Sequence, residues 1–198
     1  MQSPTIWQRM LSIDRRLLYL LLFLNIVVFL IAPIRMPASI SPPVQKFYDE
    51  IEKLKPGDLV MISSNWSAST IAENQPQLEA VLIHLTRKKA RFTFISIEAQ
   101  SRDISYRLAE RLTKTHGYEY GKDWAHFGFV PNLTVAIKGM VNDLPATIKE
   151  DVRGTSISQL EVVKGVKSLK DYKMIIDVTP SATVPVWISY SPKGIPIL

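Results

Sequence analysis

Four short apolar runs in this chain are each followed by polar residues, and those residues are where chemistry would sit. After residues 59–62 (LVMI) come Ser63, Ser64, Asn65, Trp66 and Ser67, and after 92–97 (FTFISI) come Glu98 and Gln100. Pro131 and Asn132 follow 126–130 (HFGFV). The run 174–178 (MIIDV) contains Asp177 and is followed by Thr179, Ser181 and Thr183. The carboxylates of Asp177 and Glu98 suit a general base, an acceptor for a polar ligand, or a hard-cation ligand. Ser63, Ser64, Asn65, Thr179 and Ser181 would supply donors and acceptors around them. The same residue types are common turn formers and helix caps, so a local duty competes with any chemical one. Asp177, in particular, reads more readily as an acceptor for N–H groups of the turn Thr179-Pro180-Ser181.

Few other residues suggest a reaction. The chain has no cysteine, which excludes thiol nucleophiles, Cys-ligated zinc and iron–sulfur clusters. No G-x-G-x-x-G follows a strand, and Walker A, G-x-S-x-G and H-E-x-x-H patterns are missing, so no cofactor or metal is expected. The three histidines have no ligand spacing. His84 borders an apolar helical stripe and His116 closes a helix. His126 opens a strand beside Trp124 and is the one histidine worth testing. The segment Arg153-Gly154-Thr155-Ser156 reads as a turn leading into a short helix rather than a binding loop.

The elements that would position these residues follow from periodicity. Val44, Phe47, Tyr48, Ile51 and Leu54 recur at helical spacing, and Lys55-Pro56-Gly57 ends that helix. Asn74 reads as an N-cap with Gln77 three residues on and Pro76 in the first turn, ahead of the stripe Leu78, Val81, Leu82 and Leu85. Ser101 reads as the cap of a helix closed by His116-Gly117, and Asn132 as the cap of the next. From 145 to 172 the signal weakens, with short helices expected at 158–163 and 168–172. A short helix is expected at 184–190 and a last strand at 195–198. Strands without alternation, separated by helices, predict a mostly parallel sheet covered on both faces: a Rossmann-like α/β domain over 44–198.

Ahead of that domain, residues 17–34 carry no charge, and 18 residues at ~1.5 Å rise span roughly 27 Å, close to a bilayer core. The expectation is an N-terminal transmembrane helix over 17–34, preceded by a cytoplasmic or interfacial segment 1–16 and followed by a Pro-rich stalk 35–43. Met36-Pro37-Ala38 lacks the small residues of a cleavage site, so the helix reads as an uncleaved anchor. Arg9, Arg15 and Arg16 before the span, against Arg35 closely after it, place the N-terminus in the cytoplasm and the domain outside. Net charge is +6, but beyond Arg35 only +3 remains, with the signs mixed, so nucleic acid is not an expected partner. The expected partners are the lipid bilayer and other membrane-protein subunits. Asn25 in the span, with Trp187 and Tyr190 near the C-terminus, are the candidate interface residues.

The segments KPGDLVMIS (55–63), EAVLIHLTRKKARFTFISI (79–97), RGTSISQLEVVKGVKSLKDYKMIIDVTP (153–180) and GIPIL (194–198) resemble an uncharacterised group of bacterial membrane proteins. These have one N-terminal anchor and an extracytoplasmic α/β domain, and the resemblance implies that architecture but no activity or site. The leading functional expectation is a non-catalytic subunit that docks on membrane proteins and helps assemble or stabilise their complex. The alternatives are a small-ligand binding or sensing domain at the strand ends, and a hydrolase or transferase built on Asp177, Glu98 and Ser63.

Overall fold

The computed structural model describes residues 13–32 and 39–198. They fall into two compact units that divide between Ser41 and Pro42.

The first unit contains helix α1, Arg15–Ile31, 17 residues whose N-terminus is capped by Asp14, which accepts from the Arg16 N–H at 2.9 Å. None of its residues is buried. The expected span thus forms a helix as far as Ile31, with Pro33 and Ile34 outside the described residues. Among the described residues, no helix is long and apolar enough to cross a membrane. The expected interfacial segment lies almost wholly outside the described residues, although Arg15 and Arg16 belong to the helix.

The second unit is the α/β domain. Helix α2 (Pro42–Glu52) is followed by β1 (Leu59–Ser64), α3 (Ile71–Arg87), β2 (Arg91–Ser96), α4 (Ala99–Thr115) and β3 (Trp124–Phe129). Then come α5 (Leu133–Asn142), α6 (Leu144–Thr147), β4 (Met174–Val178) and α7 (Val184–Tyr190). The four strands form one parallel sheet in the order β3-β2-β1-β4. Every residue of β1 is buried, as a strand covered on both faces requires. Side chains alternate between two apolar clusters. Met61, Ile95, Ile137, Leu169 and Ile175 pack with Trp187 on one face, and Val60, Ile62, Leu82, Phe92 and Ile176 with Ile51 on the other.

Several boundaries differ from the sequence expectation for physical reasons. Pro42 and Pro43 open α2 instead of ending a stalk, because proline is well accommodated in a first helical turn. Helix α3 begins at Ile71, after a 3₁₀ turn at Ala68–Thr70, so Asn74 is not its cap. Asn74 is buried and donates from Nδ2 to the Thr70 carbonyl at 3.0 Å, and Pro76 lies inside the helix. Asn132 does cap α5, accepting from the Val135 N–H at 3.1 Å. The weak stretch 145–172 contains α6 and 3₁₀ turns at Ile157–Gln159, Glu161–Val163 and Leu169–Asp171 in place of the two short helices. The expected last strand is a short parallel pairing. Ile175 N–H donates to the Pro196 carbonyl at 2.9 Å, and Leu198 N–H donates to the Ile175 carbonyl at 3.0 Å.

Candidate functional site

The strand order places the functional question at one crevice. The chain runs outward from β1 through β2 to β3, then returns to add β4 on the opposite side of β1. In open parallel sheets, ligands bind outside the carboxyl ends of the strands at such a switch point. Here that means the ends of β1 and β4, where Ser63, Asn65, Asp177 and Thr179 meet.

Asn65 joins three strand ends. Its N–H donates to the Val178 carbonyl at 3.0 Å, and its Oδ1 accepts from the Ile97 N–H at 2.9 Å. That second bond fixes the amide orientation, so Nδ2 faces the crevice. It donates to Ser63 Oγ at 2.6 Å and to Asp177 Oδ1 at 3.0 Å. Ser63 Oγ also accepts from Trp187 Nε1 at 3.0 Å, and Thr183 Oγ1 donates to Asp177 Oδ2 at 2.5 Å. Burial pushes the Asp177 carboxyl above its ordinary value, and hydrogen bonds from Thr183, Ser63 and Asn65 pull against that rise. Thr179 Oγ1 donates to the Asn65 carbonyl at 3.3 Å and accepts from the Ser181 N–H at 3.0 Å, so both residues build the turn after β4.

The other candidates lie elsewhere. Ser64, one residue on from Ser63, faces the opposite side of the sheet, under α4. Its Oγ lies 2.9 Å from Ser101 Oγ, which donates to the Ser64 carbonyl at 2.6 Å. Ser101 is therefore a buried anchor within α4 and not its cap; the residue preceding α4 is Glu98. The Glu98 side chain makes no cap hydrogen bond and none to Ser63 or Asp177, so the structure does not assemble the three groups of an unusual catalytic site. Trp187 is fully buried, which removes its ring as an interface anchor, whereas Tyr190 is 40% exposed, with Lys138 Nζ 4.5 Å above its ring. Asn25 lies in α1.

Next to Ser101 is a network that the sequence did not suggest. Gly128 N–H donates to His126 Nδ1 at 2.9 Å, which leaves the imidazole proton on Nε2. Nε2 donates to Ser105 Oγ at 3.0 Å, and that hydroxyl donates to the Ser101 carbonyl at 2.6 Å. Gly128 has a φ of +85°, at an irregular stretch of the β2–β3 register, and glycine permits that turn toward the ring. Full burial pushes the imidazole down to about 3, so His126 is neutral, with both nitrogens bonded. A proton shuttle needs an exchangeable face, and this histidine has none. The Arg153 loop is likewise structural. Asp151 Oδ1 accepts from the Arg153 and Thr155 N–H groups at 2.8 and 2.7 Å, and the guanidinium lies 3.6 Å over the Tyr120 ring.

A different kind of space opens on the α2 side. A groove of about 670 Å³ runs between α2 and α3, with Ile176 and Val178 of β4 in its lining. Of the apolar stripe read on α2, Ile51 is fully buried, but Val44 is 57% and Tyr48 50% exposed. Among the described residues, no cluster of His, Asp or Glu could hold a metal ion.

Fold and site together define a Rossmann-like α/β domain whose strand-end crest is hydrogen-bonded internally. No family model, no curated protein and no solved structure matches the chain.

Proposed function

We propose that this chain is a membrane-tethered, non-catalytic α/β subunit that docks on other membrane proteins and helps assemble or stabilise their complex. One observation carries the reading. At the switch point, where an enzyme of this architecture would expose reacting groups, Ser63, Asn65 and Asp177 hydrogen-bond one another and Trp187. A carboxylate and a hydroxyl committed in this way serve the fold. The uncharged run 17–34 in the sequence is what supports the tether, and Arg9, Arg15 and Arg16 ahead of it, against Arg35 after it, support an extracytoplasmic domain.

The test is native purification of the full chain in a mild detergent, followed by mass determination and identification of co-eluting proteins. A stoichiometric assembly larger than the 22.4 kDa chain is expected. A strictly monomeric, solitary protein under those conditions would remove the docking reading.

A further inference from the structure

We infer that the groove between α2 and α3 binds the chain of one long-chain fatty acid, with the Arg87 guanidinium on its carboxylate. The groove's walls are apolar: Val44, Phe47 and Ile51 come from α2, Val81 from α3, and Ile176 and Val178 from β4. Its volume of about 670 Å³ falls within the ~300–1,000 Å³ usual for small-molecule sites. Such a lining suits a hydrocarbon and offers little to a polar metabolite.

The rim gives the other half of the recognition. Glu52 lies there, and its carboxylate is already matched, 2.7 Å from His84 Nε2 and 3.1 Å from Lys88 Nζ. Those two partners hold its pKa below the ordinary carboxylate range. His84 in turn stacks on Tyr48, with ring centroids 4.6 Å apart, which closes one side of the groove. Asp177 also borders the groove, but its carboxylate is bonded to Asn65 and Thr183. Arg87 is different: it lines the groove, is exposed, and forms no ion pair among the described residues. An apolar trough ending at one uncommitted guanidinium complements an anionic amphiphile, and a carboxylate can take both arms of the fork. This site would operate whether or not the domain docks on a partner.

The test uses the full chain in phosphatidylcholine vesicles containing a trace of palmitic acid with a photoactivatable diazirine near its tail. After irradiation, labelled peptides are mapped by mass spectrometry. Label is expected on the peptides that contain Val44–Glu52 and Gln77–Arg87. It should fall about tenfold in Ala80→Trp, which fills the groove from an exposed position, and in Arg87→Glu, which reverses the rim charge. The methyl ester of the probe should label the groove as weakly as Arg87→Glu does. Arg87 is at the surface, so Arg87→Glu decides the matter even if Ala80→Trp does not fold.

Groove label that is absent, that survives Arg87→Glu, or that is equal for acid and ester would overturn the inference. A co-purifying protein cross-linked across α2 and α3 in place of the probe would overturn it in favour of protein docking. Label within Arg15–Ile31 reports on the tether alone, so failure of the tether and failure of the groove are separately visible.

Discussion

Trp187 Nε1 donates to Ser63 Oγ at 3.0 Å across 124 residues of sequence, and this bond fastens α7 to the end of the central strand. The same hydroxyl accepts from Asn65, so two donors depend on one oxygen. Ser63→Ala should therefore strand two buried N–H groups and cost about 2–4 kcal/mol. Trp187→Phe should cost about 1–3 kcal/mol through lost packing and one hydrogen bond. The double variant should lose less than the sum of the two. Urea midpoints of all three variants test this, and strict additivity would show that the bond carries no coupling.

Asn65 is the common partner of β1, β2 and β4, and Asn65→Ala leaves the Ile97 N–H and the Asp177 carboxylate each short of a partner. A loss of about 2–4 kcal/mol is expected. Asn65→Asp keeps the acceptor for Ile97 but sets a second carboxylate against Asp177. It should be more destabilising at pH 7 than at pH 4, where protonation relieves the repulsion.

Asp177 itself gives a pH signature of known sign. Its folded-state value is raised above 3.8, so the folded state holds its proton more tightly than the unfolded chain does. That contribution is fully present below the unfolded value and is lost as pH rises through the folded one. Asp177→Asn keeps an acceptor for Asn65, presents an amide to Thr183, and cannot ionise. The variant should be at least as stable as the parent at pH 7, measured by urea unfolding. A loss beyond about 2 kcal/mol would show that the ionised form is what the crest requires.

His126 behaves in the opposite sense. Its value is lowered from 6.5 to about 3, so its contribution is present above the unfolded value and is lost as pH falls through that window. The loss should approach about 1.4 kcal/mol per pH unit. The imidazole ring resonances should be flat between pH 5 and 8 in NMR titration. A midpoint near 6.5 would mean that the ring is open to solvent.

The chain's lack of cysteine makes the proposed membrane sidedness testable. Ser181 is exposed, and Ser181→Cys would be the sole thiol. An impermeant maleimide should label it on intact cells. Labelling only after lysis would reverse the proposed orientation.

The alternation of apolar runs and amphipathic stretches carried most of the fold, because strands covered on both faces leave unbroken runs such as 59–62 and 174–178. Helix starts were harder to read. Asn74 and Ser101 have the composition of caps, yet each is buried inside a helix, bonded to the Thr70 and Ser64 carbonyls respectively. Residue type alone does not separate these two uses. The strand-end positions made Ser63, Asn65 and Asp177 visible as candidates, but their commitment to one another depends on partners far away in sequence. Trp187 and His126 stood out by residue type, as an interface aromatic and a histidine worth testing, but their bonds to Ser63 and Ser105 belong to no motif and had no local signal. The α2 groove was half legible: the stripe Val44–Leu54 was clear, but not that its first half would remain uncovered.

The short C-terminal pairing along β4 has a further consequence. An unpaired strand edge is a template for other chains, but here the Ile175 and Asp177 N–H groups already donate to the Pro196 and Leu198 carbonyls. A protein adding a strand on that side would first have to displace the Pro196–Leu198 segment. Asp177, gripped by Leu198 through its backbone and by Asn65 and Thr183 through its side chain, would transmit such an exchange to the crest.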